Sequence, residues 1–135
     1  MQPENASVAL YDAPAQVRQT LAGLLAAGFD SRQVSLAAGS FRDELAAGLS
    51  GQGCFEIPGI GAVRIAGPLS DWVTAALRNA PMFGSLTAVG AGLHSVGISR
   101  ASIERCEAAL RDGRYLLLAC GPAVEIRKVQ GILKA

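Results

Sequence analysis

Aromatic side chains are scarce in this chain. They make up 5% of its 135 residues and include one Trp; there is also a single His. A core must therefore be built from Ala, Leu, Val and Ile. Charge is scarce as well: Asp, Glu, Lys and Arg are 17% of the chain, the formal net charge is +1, and the two signs are interspersed. Neither a basic face nor an acidic tail results, which argues against nucleic acid as a partner. The three cysteines, Cys54, Cys106 and Cys120, are odd in number and far apart, and no C-x-x-C occurs. That spacing excludes a zinc knuckle and a thioredoxin-type motif, and scattered buried thiols are expected. No metal or other cofactor is implied. The opening MQPENASV has neither a basic n-region nor an apolar h-region, so no secretory signal is visible and a cytoplasmic protein is expected.

Apolar residues, by contrast, are abundant at 50% of the chain, well outside the range of a disordered sequence. The length suits one domain, able to bury about two thirds of its unfolded surface. The run SVALY reads as a strand. Asp12 is positioned to cap a helix with Pro14 in its first turn, and Val17, Leu21, Leu24 and Leu25 form an apolar stripe. Gly28 and Phe29 have the order of a Schellman-type end. QVSLAA, residues 33–38, reads as a second strand, parallel to the first because a helix separates them. SFRDELAAGL is a candidate short helix, SGQG a turn, and residues 62–66 a strand. Pro68 opens a helix with apolar positions at Leu69, Trp72, Val73, Ala76 and Leu77, closed by Pro81. A weaker, small-residue helical run spans residues 86–96. Ser99 caps the next helix, which Gly113 ends. RYLLLAC, residues 114–120, is apolar on both faces and is predicted to be a central strand.

Gly121 and Pro122 open a last helix. Counted from Pro14 and from Pro122, apolar residues recur at the same offsets (Leu21 and Val129, Leu24 and Ile132, Leu25 and Leu133), which gives two similar strand-turn-helix units. This order predicts an α+β fold: a ferredoxin-like split βαβ sheet, with an inserted helical pair at residues 68–97 and an extra C-terminal helix.

Residues 56–73, EIPGIGAVRIAGPLSDWV, hold the densest cluster of glycine and proline. Gly59 and Gly61 form a G-x-G, but Arg64 stands where a dinucleotide fingerprint needs its third glycine, and no G-x-x-x-x-G-K-[ST] exists. A second G-x-G at Gly90 and Gly92 has Ser95 at that place. The reading favoured by the residue types is a Pro58-Gly59 turn, a strand burying Val63 and Ile65 with Arg64 on its other face, and a Gly67-Pro68 turn into a helix. Residues 79–99 carry no formal charge and match the hydrocarbon thickness in length, yet include Pro, Gly, Asn and His. Tight helix or subunit packing through Gly84, Ala88, Ala91, Gly92 and Ser95 is preferred over membrane insertion. His94, the sole histidine, has no metal-ligand partners at suitable spacing. Glu56, Arg64 and His94 would make an acid-base set only if the fold brought them together. No G-x-S-x-G is present. Asp71 suits the first turn of a helix, and Trp72 is either core or an interface anchor.

The opening SVALYDAPAQVRQTLAGLLAAGFDSRQVSLAA, the IPGIGAVRIAGPL segment and GISRASIERCEAALRDGRYLLLAC together resemble the bacterial general stress protein, or heat-induced stress protein, family of small α/β domains. IPGIGAVRIAGPL is similar to the I-P-G-I-G-x-V-x-x-A-G-P-L of that family. GLSGQGCFE stands where its members often have a longer Gly/Ala-rich stretch, and SRAS replaces an acidic helix start. The resemblance implies a stress-linked protein of undefined biochemical activity, and it transfers no catalytic residue.

Three functional expectations follow. The first is a non-enzymatic module that self-associates, as a C2 homodimer by default, through the small-residue helical pair and the adjacent loop, because high apolar content leaves greasy surface to hide. The second is a small-molecule binder or enzyme with a pocket formed by residues 56–97, whose candidate ligand-binding residues are Glu56, Gly59, Gly61, Arg64 and His94. The third is peripheral membrane association through residues 79–99.

Overall fold

The computed structural model describes residues 6–29, 33–39, 41, 49, 52–57, 59–78, 87–95, 98–120 and 126. Along these residues the elements are β1 (Ala6–Tyr11), α1 (Pro14–Ala26), β2 (Val34–Ala38), β3 (Gln52–Ile57), β4 (Gly61–Ala66), α2 (Leu69–Arg78), α3 (Ala88–Ser95), α4 (Arg100–Arg111) and β5 (Tyr115–Cys120). The strands form one antiparallel sheet in the order β1-β5-β2-β4-β3.

The α+β character expected from the sequence is present. β1 and β2 both run antiparallel to β5, which lies between them. They are therefore parallel to each other, and β1-α1-β2 is a split β-α-β unit. β4 and β5 are related in the same way across β2. The order departs from the expected ferredoxin-like sheet in two respects: that plan encloses its first strand and leaves its last at an edge, whereas here β1 is the edge and β5 is interior, and β3 adds a fifth strand at the opposite edge. The inserted helical pair is found as α2 and α3. The candidate helix SFRDELAAGL apart from Phe41 and Leu49, which are not helical, together with Pro81 and the C-terminal helix with its internal echo, lie outside the described residues, save that Ile126 is helical and buried.

The sheet carries a hydrophobic layer on each face. On one, Ile57, Val63, Ile65, Leu116 and Leu118 pack with Leu69 and Val73 of α2, Val89 and Leu93 of α3, and Ile103, Cys106 and Leu110 of α4. On the other, Val34, Leu36, Leu117 and Ala119 pack with Val17 and Leu24 of α1, Phe29 and Ile126. β5 serves both layers, which is why its apolar run is unbroken.

Local punctuation explains three of the helix ends. Gly28 has φ +85°, its N–H reaches Leu25 O, and the Phe29 N–H reaches Leu24 O, which is the expected Schellman closure. Gly113 and Arg114 close α4 in the same way onto Leu110 and Ala109. Ser99 caps α4 by accepting from the Ser102 N–H.

Three expectations are corrected. Asp12 does not cap α1. The N-cap is Ala13, and the Gln16 Oε1 accepts from the Asp12 and Ala13 N–H groups instead. The Asp12 carboxylate pairs with Arg114 Nε at 2.6 Å across the β1–β5 end. Leu25 leaves the α1 stripe and stands 55% exposed. SGQG does not remain a turn throughout, because Gln52 and Gly53 begin β3, a strand not expected from the sequence.

The small-residue stripe of α3 packs inside its own chain. Gly92 faces Leu69 and Trp72 of α2, and a Cβ on Gly90 would overlap the Glu107 carboxylate of α4. Of the two expected uses, helix-helix packing is the one seen at Gly90 and Gly92, while Gly84 lies outside the described residues. Glu107 is buried, and its Oε2 accepts from the Thr87 N–H at 2.9 Å and the Thr87 hydroxyl at 2.7 Å, while the Gly90 N–H donates to the Thr87 Oγ1. The carboxylate thereby sits at the positive end of the α3 dipole and accepts from Thr87, whose own hydroxyl oxygen takes the Gly90 N–H. Glu107→Ala should destabilise the protein by about 2 kcal/mol, since it strands the half-buried Thr87 donors and empties the place of a buried carboxylate. Urea denaturation would check this, and Glu107→Gln should recover part of the loss.

Candidate functional site

The β3–β4 hairpin gathers most of the residues singled out in the sequence. Its register pairs Cys54 with Arg64, Phe55 with Val63, Glu56 with Ala62 and Ile57 with Gly61. Side chains alternate across a strand. Phe55, Ile57, Val63 and Ile65 point into the layer beneath α2, α3 and α4. Cys54, Glu56, Ala62 and Arg64 share the opposite face, where the first three are exposed and Arg64 is half-buried. These four, with Gly39, line an open concavity of about 310 Å³.

Arg64 is held in place. Its Nη1 donates to the Phe41 carbonyl, and its guanidinium carbon stands 4.6 Å from the centroid of the Phe41 ring. The two glycines of the motif are turn residues. Ile60 N–H returns to Ile57 O at 2.9 Å, and Gly59 and Gly61 have φ of +92° and +110°, a region that favours glycine. The turn is fastened to the helical layer: Arg111 Nε donates to Gly59 O at 2.6 Å, and a Cβ on Gly59 would press Thr87 Cγ2. A strand, not a helix, follows these glycines, so the G-x-G serves the hairpin rather than a phosphate.

His94 is not brought to this face. It lies exposed in the last turn of α3, and α3 packs on the other side of the sheet from the Glu56 and Arg64 side chains. The proposed Glu56, Arg64 and His94 set is therefore divided: Glu56 and Arg64 are neighbours and His94 is remote. Among the described residues, no group of three His, Cys, Asp or Glu side chains could hold a metal ion. Among them too, no helix is long and apolar enough to cross a membrane.

Cys54 is the residue of this face that sequence reasoning missed. Cysteine is usually buried, and all three were expected to be so. Cys106 is indeed buried and Cys120 half-buried, and burial pushes each thiol up to about 11. Cys54 is exposed. A thiol-reactive chromophore at neutral pH should label one cysteine quickly and the other two only on unfolding, and Cys54→Ser should remove the fast phase. The alternation Cys54 out, Phe55 in, Glu56 out, Ile57 in was the available signal.

No family model matches the chain, and no curated protein or solved structure matches it either, so the stress-protein likeness rests on its motif segments alone.

Proposed function

We propose that this chain is a non-enzymatic α/β association module that works by joining copies of itself, in the stress-linked setting that the motif resemblance implies. One observation supports this most directly. β3 ends the sheet and pairs only with β4, so its outer backbone groups form an open edge among the described residues. An open edge offers a row of donors and acceptors to another strand. The expected route through greasy helical surface is set aside, because the small residues of α3 are used internally and Leu25 is the one large apolar side chain exposed among the described residues. The two split β-α-β units support placing the fold near the ferredoxin-like plan. Native mass spectrometry without detergent tests the reading. Twice the 13.9 kDa chain mass is expected, and a monomer at high concentration would overturn it.

The concavity on the hairpin supports a second reading, a small-molecule site using Glu56 and Arg64. It would be favoured by excess mass that disappears on denaturation, with loss of that mass in Glu56→Gln.

A further inference from the structure

Resting on the association reading, we infer that the partner is a second copy of this chain, joined antiparallel through β3 with Phe55 opposite Phe55 of the other copy. The choice of register comes from charge and face. A two-fold axis normal to the sheet keeps the same face uppermost in both copies, so only residues of like parity can stand opposite each other. Two registers, centred on Cys54 and on Phe55, keep five of the six strand residues overlapped, and centring on Glu56 or Gly53 keeps only three. Centring on Glu56 sets two carboxylates directly opposite, which is unfavourable. Centring on Cys54 aligns Arg64, Cys54 and their copies in one row, with the two guanidinium groups facing across it. Centring on Phe55 aligns Arg64, Cys54, then Glu56 and Ala62 of the other copy.

In this last register each Arg64 lies two strand spacings, roughly 10 Å along the sheet, from the opposite Glu56. Only the small Cys54 side chain stands between them. The Phe41 contacts fix the positive charge on this face. The attraction is exposed and screened, so it selects the register more than it holds the dimer. On the other face the Phe55 rings meet at the axis. Each ring lies over its own Gly53, with ring atoms 2.9 Å from where a Gly53 Cβ would stand, and is half-buried in the isolated chain. Pairing would complete its burial and extend the helical-side layer across both copies. The other edge left open among the described residues, β1, carries Ser7, Val8, Ala9 and Leu10, with no charge to choose a register.

Mixed crosslinking tests this. Wild-type chain, bearing Cys54, is mixed with Cys54→Ser/Glu56→Cys chain and oxidised with diamide. Both positions are exposed, so both chains should fold. The Phe55-centred register places Cys54 opposite position 56 of the other copy, so the mixture should give a disulfide dimer that neither chain gives alone. Glu56→Lys should weaken the dimer roughly tenfold at low salt, with a smaller effect at high salt. A wild-type dimer crosslinked through Cys54 to Cys54 would overturn the register. Twice the chain mass with no crosslink in the mixture would overturn β3 pairing and leave self-association standing. A monomer in every preparation would overturn both.

Discussion

Gly67→Ala is expected to cost about 4 kcal/mol of stability, at the upper end of single substitutions. Gly67 joins β4 to α2 with φ +97°, so any side chain there is strained. Space is the larger matter. A Cβ would overlap the Val34 carbonyl oxygen and stand 2.7 Å from Ser35 Cα and 2.9 Å from Ser35 Oγ. These atoms belong to β2, which is paired to β5 on one side and β4 on the other. β2 cannot retreat without breaking a ladder. Ser35 is also engaged: its buried hydroxyl oxygen accepts from the Leu69 N–H at 3.0 Å and so completes the start of α2. Gly113→Ala is the control. Gly113 has φ +82°, but a Cβ added there would meet nothing within 4 Å, so only the backbone strain of about 1 kcal/mol is expected. Urea denaturation of the two variants would separate them. Equal losses would mean that the close approach to β2 is not what makes Gly67 necessary.

The second large effect is alkaline. Burial pushes the Cys106 thiol from 9.0 up to about 11, with neighbouring Arg105 opposing and Glu107 adding to the rise. Between these values the unfolded chain has lost a proton that the folded chain keeps. The unfolded state binds fewer protons there, so stability must fall as pH rises. It is fully present below pH 9 and lost progressively toward pH 11, on the order of 2–3 kcal/mol for this thiol. Cys120 shifts the same way by burial, but is half exposed to solvent at the end of β5 and adds less. Denaturation midpoints measured from pH 8 to 11 should decline steeply in the wild type and less steeply in Cys106→Ala. Parallel slopes in the two proteins would show that other groups govern the alkaline limb.

Much of the local structure was legible because it is written in short-range chemistry. Gly28 with Phe29, Ser99 and Gly113 mark helix ends through backbone needs that neighbours cannot override. β5 was legible because both faces are apolar. β3 was not, since Gly53 and Glu56 dilute its apolar character and the neighbouring proline and glycines suggested loop. The full strand order lay beyond reach for a different reason: the two apolar faces of YLLLAC mark β5 as interior, but nothing local in ASVALY says that it enters between the first two. The candidate site divided along the same line. Glu56 and Arg64 are eight positions apart on one hairpin, and a turn at Gly59 brings them together. His94 depended on which side of the sheet α3 would cover, and that is decided by the packing of Val89 and Leu93.

The interior place of β5 sets the order in which the molecule can be made. Until Tyr115–Cys120 has left the ribosome, β1 has no hydrogen-bonding neighbour among the described residues and β2 lacks one of its two. The β2-β4-β3 ladder can assemble from nascent chain, but β1 and α1 must wait, their apolar faces exposed, for a partner encoded about a hundred residues downstream. Fragments ending before β5 should therefore depend on chaperones, and the complete chain should refold slowly for its size.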